Sequence, residues 1–400
     1  MRGGPVTPAT GWMRVGLLAC AAVGLPFACA SQDDPAASPE EPEPSKIPEL
    51  PTDAGGAETL PDVDAGTRCS ASKICVEKVP IDEFVHLTSV WGSSANDVWA
   101  VGAHGTVLHY DGTAWKKADV ATANGGLVYT LRSVWLERPD DVWIVDGTTQ
   151  SGGGGILRHS SGWSGPSAVA WSFFTPDEPF GFEPLVVRGK GSTVWIAHAG
   201  FRMLETFDGW SADGPSASRT FAPPNMGSVT ALAVTRADEV WAAGSCDDES
   251  FVSHFGCVFR GSLVAGPAPP TWEFEPYDSQ TDKVLRAAWG DESGVWLAGE
   301  AGTLRRGTRA AVPNGKLEVV TSPVVADLEA VFGFAADDVW AVGEASTVLH
   351  WDGAVWTKLS TPFDGESNRP ALHAVWGSSS KDIWIAGDGT MLRYREEKTP

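Results

Sequence analysis

The chain has 400 residues, with 29 Lys and Arg against 51 Asp and Glu, and a formal charge of −22. That balance excludes a partner held through a phosphate backbone, so no nucleic acid is expected. Glycine fills 45 positions, well above the usual ~7%, and 19 tryptophans stand beside 4 tyrosines. Such a mix describes short strands and tight turns, and argues against a helical bundle or coiled coil.

Arg14 precedes Val15–Ala28, an apolar stretch of export-signal length. Two cysteines stand at lipobox-like positions: Cys20 after Leu17-Leu18-Ala19, and Cys29 after Leu25-Pro26-Phe27-Ala28. The longer apolar region favours Cys29 as the lipidated residue, with ordinary cleavage after Ala28 or Ala30 as the alternative. Residues 1–29 are therefore expected to be a lipoprotein signal peptide. Residues 30–66 carry Asp33, Asp34, Glu40, Glu41, Glu43, Glu49, Asp53, Glu58, Asp62 and Asp64 against the single Lys46, with prolines between them. A segment with so little to bury cannot offset its ordering entropy, and a disordered acidic linker is expected. The address implied is an exported, lipid-anchored protein of the cell envelope, at the outer membrane, whose one contact with the membrane is the anchor. Secreted or periplasmic forms are the alternatives.

From residue 81 the chain repeats itself. Leu87–Gly102 reads LTSVWGSSANDVWAVG, and Leu372–Gly387 reads LHAVWGSSSKDIWIAG. Between them lie Leu131–Asp146, Leu185–Ala199, Val229–Gly244, Leu285–Gly299 and Leu328–Gly343. A tryptophan recurs at 99, 143, 195, 241, 296, 340 and 384, at intervals of 44, 52, 46, 55, 44 and 44. A period in the forties with aromatic anchors predicts a seven-bladed β-propeller over residues 67–400. The fold class is all-β.

Each unit parses into strands A to D. Asp111-Gly112, Asp208-Gly209 and Asp352-Gly353 mark the C–D turn, where glycine accepts positive φ. Aromatics at one register in every blade are expected to fill the wedge between sheets. Trp115, Trp163, Trp210, Trp272 and Trp356 are assigned to strand D. Trp171 falls in an irregular segment and reads as an exposed contact. His109 and His350 share a strand C position with Arg158, Arg305 and Arg393, which reads as a solvated blade face.

After Tyr394 too few residues remain for an outer strand, whereas Ile74-Cys-Val-Glu-Lys-Val79 precedes the first blade. The N-terminal strand is therefore expected to close the last blade as its strand D, pairing two otherwise open edges. Beyond the signal the cysteines are Cys69, Cys75, Cys246 and Cys257, which allow three pairings. Two local bridges, Cys69–Cys75 and Cys246–Cys257, are the simplest in an oxidising compartment. No metal-ligand spacing appears, and neither metal nor cofactor is expected.

Asp97-Val-Trp-Ala-Val-Gly102, Gly105-Thr-Val-Leu108 and Asp111-Gly-Thr-Ala-Trp115 resemble the repeats of BNR-type and photosystem II assembly factor-like propellers. The same pattern is similar to repeats in predicted surface lipoproteins of soil bacteria. The resemblance implies architecture only, because the Asp-box of sialidases is absent and a fold does not carry an activity. No nucleophile elbow, zinc-protease motif, phosphate-binding loop or calcium loop occurs.

Short repeated A–B and C–D joints occupy one face, and long divergent D–A and B–C joints occupy the other. This reads as a scaffold with a site on the variable face, binding an envelope protein or a glycan as a monomer without catalysis. The alternative is a glycan-acting hydrolase or lyase with a sialidase-like site, using Arg132, Arg286 and Arg188 with Tyr129 or Tyr277 and Glu329. One polar position near the start of strand A differs from blade to blade: Thr88, Arg132, Thr230, Arg286, Glu329 and His373. These six are the candidate binding residues at the mouth of the central channel. Guanidinium forks there suit an anionic ligand held between Arg132 and Arg286.

Overall fold

The computed structural model describes residues 68–396 except 120–128, 148–154, 168, 175–182, 200–202, 217–218, 224–225, 248–253, 265–270 and 309–314. The expected signal peptide, the lipidation residue Cys29 and the acidic linker lie outside the described residues.

Seven four-stranded antiparallel sheets form the blades, and a two-stranded ribbon, Trp210–Ser211 with Gly214–Pro215, is added in blade three. In blade one, strands A to D are Leu87–Ser94, Asp97–Gly102, Thr106–Tyr110 and Trp115–Lys117. Strand A of each blade contacts strand A of the next, and that of blade seven returns to blade one. The ring is closed by exchange: Ile74–Val76 is the outer strand of blade seven, with Ile74 opposite Tyr394 and Val76 opposite Leu392. Ser72 adds reciprocal bonds to Ser360 at 2.9 and 3.0 Å, tying this segment to the chain leaving blade six. Both local disulfides are formed, Cys69–Cys75 and Cys246–Cys257.

The tryptophan of strand B is the wedge between blades. All seven are at most 3% exposed. Each ring packs edge-on or tilted against aromatics, across to the next blade for Trp99 on Trp171, Trp143 on Trp210, Trp195 on Trp272, Trp296 on Trp356 and Trp340 on Tyr394, and within its own blade for Trp241 on Tyr277. Trp384 of blade seven completes the circle on Trp115 of blade one, at 5.0 Å and 86°. Rings of this size bury enough area to dominate the contact between sheets.

The glycine after the strand A tryptophan has a steric reason. A β-carbon on Gly92 would lie 2.7 Å from the ring of Trp376 and 2.6 Å from the Asp97 carbonyl oxygen. Trp135 lies likewise over Gly189, and Trp289 over Gly333. In these three places the strand A tryptophan is seated on the glycine of the following blade.

Three sequence-based expectations need correction. Trp171 is no exposed contact: it opens strand D of blade two, opposite Ser160, with its ring 6.1 Å from that of Trp99. Trp163 and Trp210 are not in strand D but stack on His109 and His159, at 4.4 and 5.0 Å. The polar column of strand C is paired with carboxylates, buried at His109 and Arg393 and half-buried at Arg260 and His350. His109, His159, Arg260, Arg306, His350 and Arg393 lie opposite the strand B tryptophans, whereas Arg158 and Arg305 face Ile144 and Leu297, one residue along.

That column is held from the A–B turn. Asp97 accepts from Trp99 Nε1 at 3.1 Å and from His109 Nε2 at 2.8 Å. Asp141 does the same for Trp143 and His159, and Asp338 for Trp340 and His350. Glu239 takes Trp241 and Arg260, and Asp382 takes Arg393. Burial opposes the charge on Asp97, yet hydrogen bonds from His109, Ser93 and Trp99 hold its carboxyl below the usual range. The hydrogen bond from His159 does so for Asp141. The constant face is constant because its polar groups are committed to the blades.

Candidate functional site at the channel mouth

The opposite, variable face carries the start of every strand A. In each blade the A–B ladder skips one residue there, a β-bulge that leaves a single side chain outside the pairing. The skipped residues are Thr88, Arg132, Leu185, Thr230, Arg286, Glu329 and His373. Bulges re-aim side chains and gather near functional sites. Here they aim one residue per blade into the channel, and all seven line a cavity of about 440 Å³. Sequence reasoning placed six of them; Leu185 was hidden because the register of blade three cannot be read without the bulge after Pro184.

The seven do different work. Thr88 Oγ1 donates to the carbonyl of Leu131, and Thr230 Oγ1 to that of Leu285, so each hydroxyl joins its blade to the next. Arg132 pairs with Glu183 at 3.0 Å. Arg286 lies among three carboxylates, Glu300 at 2.9 Å, Asp327 at 3.4 Å and Glu329 at 3.7 Å. Burial pushes the Glu329 carboxyl above its usual range, against the pull of Arg286 and His373. His373 Nε2 meets Asp388 Oδ1 at 2.7 Å, and His86 Nδ1 meets the same oxygen. Burial would raise Asp388, but these two imidazoles outweigh it and hold the carboxyl low.

Both mouth arginines are thus already forked by carboxylates of their own chain. A ligand carboxylate at Arg132 or Arg286 would have to displace Glu183 or Glu300. Deeper in the channel stands a different cation. Arg188 occupies the register position that Trp91 and Trp135 hold in their blades, opposite Trp195. Its guanidinium lies 4.6 Å over the Trp91 ring and donates to Ser133 Oγ at 3.1 Å and the Val187 carbonyl at 2.7 Å. No carboxylate reaches it among the described residues, and burial pulls its pKa down to about 10. Trp91 is available to it for a sequence reason. Leu136 stands in blade two where glycine would receive the ring, so Trp91 instead donates to the Leu136 carbonyl at 3.1 Å and lines the channel.

The sialidase-like constellation is not assembled. Arg132, Arg188 and Arg286 share the cavity, but neither Tyr129 nor Tyr277 lines it. Tyr277 ends an outer strand and packs on Trp241 at 5.0 Å.

No protein-family profile matches this sequence, and no curated protein matches it. Solved structures match its fold. YCF48 bound to a D1 peptide aligns with a TM-score of 0.58 at 16% identity, over 81% of this chain and 97% of that one. YCF48 from Cyanidioschyzon merolae gives 0.58 at 16% identity, over 81% and 99% of the two chains. The WD40 β-propeller domain of Doa1 gives 0.55 at 12% identity, over 84% and 98%. The likeness is one of fold, and it bears out the resemblance to photosystem II assembly factor-like seven-bladed propellers.

Proposed function

We propose that this chain is a non-enzymatic scaffold, displayed as a monomeric lipoprotein at the cell envelope, that binds a protein partner across the channel mouth. The observation that carries the reading is the bulge repeated in all seven blades, which delivers Thr88, Arg132, Leu185, Thr230, Arg286, Glu329 and His373 to one opening. Repeating a backbone device while placing five different residue types on it suits recognition; packing alone would favour one residue type. Thr88 and Thr230 hold the blades together, which leaves Arg132, Arg286, Glu329 and His373 as the polar rim.

Three further observations support a protein rather than a glycan. The large rings are spent in the blade wedges, so few are free to stack on sugar. Phe84 at 74% and Val325 at 87% exposure belong to connections on this face, and Phe255 at 41% stands at the start of strand C of blade four. YCF48, a propeller of similar fold, has a structure bound to a D1 peptide. Envelope display is supported by the signal-like residues 1–29, the lipobox-like Cys29, the acidic linker and the two disulfides. A partner segment with both basic and acidic groups fits the mouth, where Asp327, Glu329 and Asp388 stand beside two arginines.

The test passes an envelope extract of the producing cell over the immobilised full chain and over Arg132→Ala/Arg286→Ala. A partner retained by the wild type and lost by the double variant supports the reading. Equal capture by both proteins overturns it.

A further inference from the structure

Three side chains from separate segments converge at the seam where the ring closes. His86 ends the segment leading from the closing strand to blade one and forms an isolated β-bridge with Asp388. Asp388 sits in the B–C turn of blade seven, where its N–H donates to the Ala371 carbonyl at 2.9 Å and that of Gly389 to Val85 at 2.9 Å. His373 is the bulged residue of the same blade's strand A. Their three donor atoms, His86 Nδ1, His373 Nε2 and a carboxylate oxygen of Asp388, all lie within 4.8 Å of one another.

We propose that His86, His373 and Asp388 form a binding site for a divalent transition-metal ion of the zinc type. Two imidazoles and one carboxylate are a donor set that such ions take, with bonds of about 2.0–2.2 Å. In the metal-free arrangement both rings crowd one oxygen of Asp388. A cation placed between them replaces two hydrogen bonds by three coordinate bonds, and the proton on each coordinating nitrogen is displaced to solvent or to the other ring nitrogen. The backbone is prepared for this, since all three residues are pinned by the bridge, the turn and the bulge. Further carboxylates stand close by, since Asp327, Glu329 and Glu344 cluster in the neighbouring blade with Arg286 as their counter-ion. His86 is exposed, so the ion keeps an open side toward solvent. No linear motif announces the site, because His86 and Asp388 are 302 residues apart.

The ligands join the N-terminal segment to the last blade, so the ion clips the ring shut. It stabilises the folded chain by linkage, since the unfolded chain cannot hold the three donors together. The site does not depend on the partner proposed above and is tested without it.

Metal-stripped full chain is titrated with Co²⁺ under visible absorption and with Zn²⁺ by calorimetry and thermal unfolding. We expect one equivalent of each to bind, Zn²⁺ to displace Co²⁺, and Zn²⁺ to raise the melting temperature. His86→Ala, an exposed change compatible with folding, and His373→Ala should each weaken binding about tenfold or more and abolish the thermal shift. His104→Asn, at an exposed histidine that is not one of the three donors, should bind like wild type. Wild type showing no binding at millimolar metal, or His86→Ala and His373→Ala both binding as wild type does, would overturn the assignment.

Discussion

The ring of Trp376 in blade seven occupies the space that a side chain on Gly92 in blade one would need, 2.7 Å from the ideal β-carbon. The last blade is thereby seated on the first through its innermost strand as well as through the exchanged outer strand. Gly92→Ala is expected to lower unfolding stability by about 1–3 kcal/mol, because the ring on one side and the Asp97 carbonyl on the other leave no direction for relief. Denaturant midpoints measure it, and an unchanged midpoint would contradict the seating.

Closure through the outer strand gives a sharper outcome. Removing residues 68–80 deletes Ile74–Val76, leaves Thr390–Arg395 as an open edge and takes the fully buried Ile74 out of the core. The shortened chain should melt well below the wild type and aggregate. Light scattering during thermal unfolding follows this, and an unaltered melting temperature would show that the exchanged strand is dispensable.

Acid stability follows from the A–B turn carboxylates. The His159 hydrogen bond comes first in lowering Asp141, and bonds from His109, Ser93 and Trp99 overcome burial at Asp97. A carboxyl whose folded pKa lies below its unfolded value contributes stability above the unfolded value, and the contribution is lost as pH falls through the folded one. Stability should therefore hold from neutrality down to about pH 4 and decline below it. Asp141→Asn should flatten that decline while lowering stability at neutral pH. Melting temperatures between pH 3 and 7 supply the comparison, and equal slopes for both proteins would refute the linkage.

The mouth positions should separate by role. Thr88→Val removes a hydroxyl that donates to the Leu131 carbonyl of the next blade, at a cost of about 1 kcal/mol. Arg132→Ala breaks a solvent-exposed pair with Glu183 and should cost less than about 1 kcal/mol. Chemical unfolding of both variants tests the division, and the reverse order of effects would assign Arg132 to the framework.

Much of this architecture can be read from the chain alone, for a physical reason. Trp99 and its counterparts repeat because each fills the same wedge, and Asp111-Gly112 repeats because the same turn needs positive φ. The closing strand follows from counting what lies before Leu87 and after Tyr394, and both disulfides from pairing each cysteine with its nearest neighbour in sequence. Register is what sequence conceals. A bulge is an extra residue without a residue-type signature, so Leu185 could not be aligned; Arg158 and Arg305 stand one position before the column that faces the tryptophans, a register that only the strand pairing reveals. Partners contributed by other segments are equally hidden: Glu183 against Arg132, Asp327 against Arg286, and His86 with His373 on Asp388. Arg188 illustrates the same limit, since its place among the strand A aromatics becomes visible only opposite Trp195.

The central claim is that a partner enters the channel mouth on the variable face, and site-specific photocrosslinking tests it most directly. A photoreactive amino acid is placed at Leu185, which faces the channel without an ion pair, or at Val355, which is 56% exposed in a C–D turn of the constant face. Irradiation of cells carrying the full chain should trap a discrete partner from position 185 and none from position 355. Crosslinks from position 355 with none from 185 would place recognition on the opposite face and contradict the account.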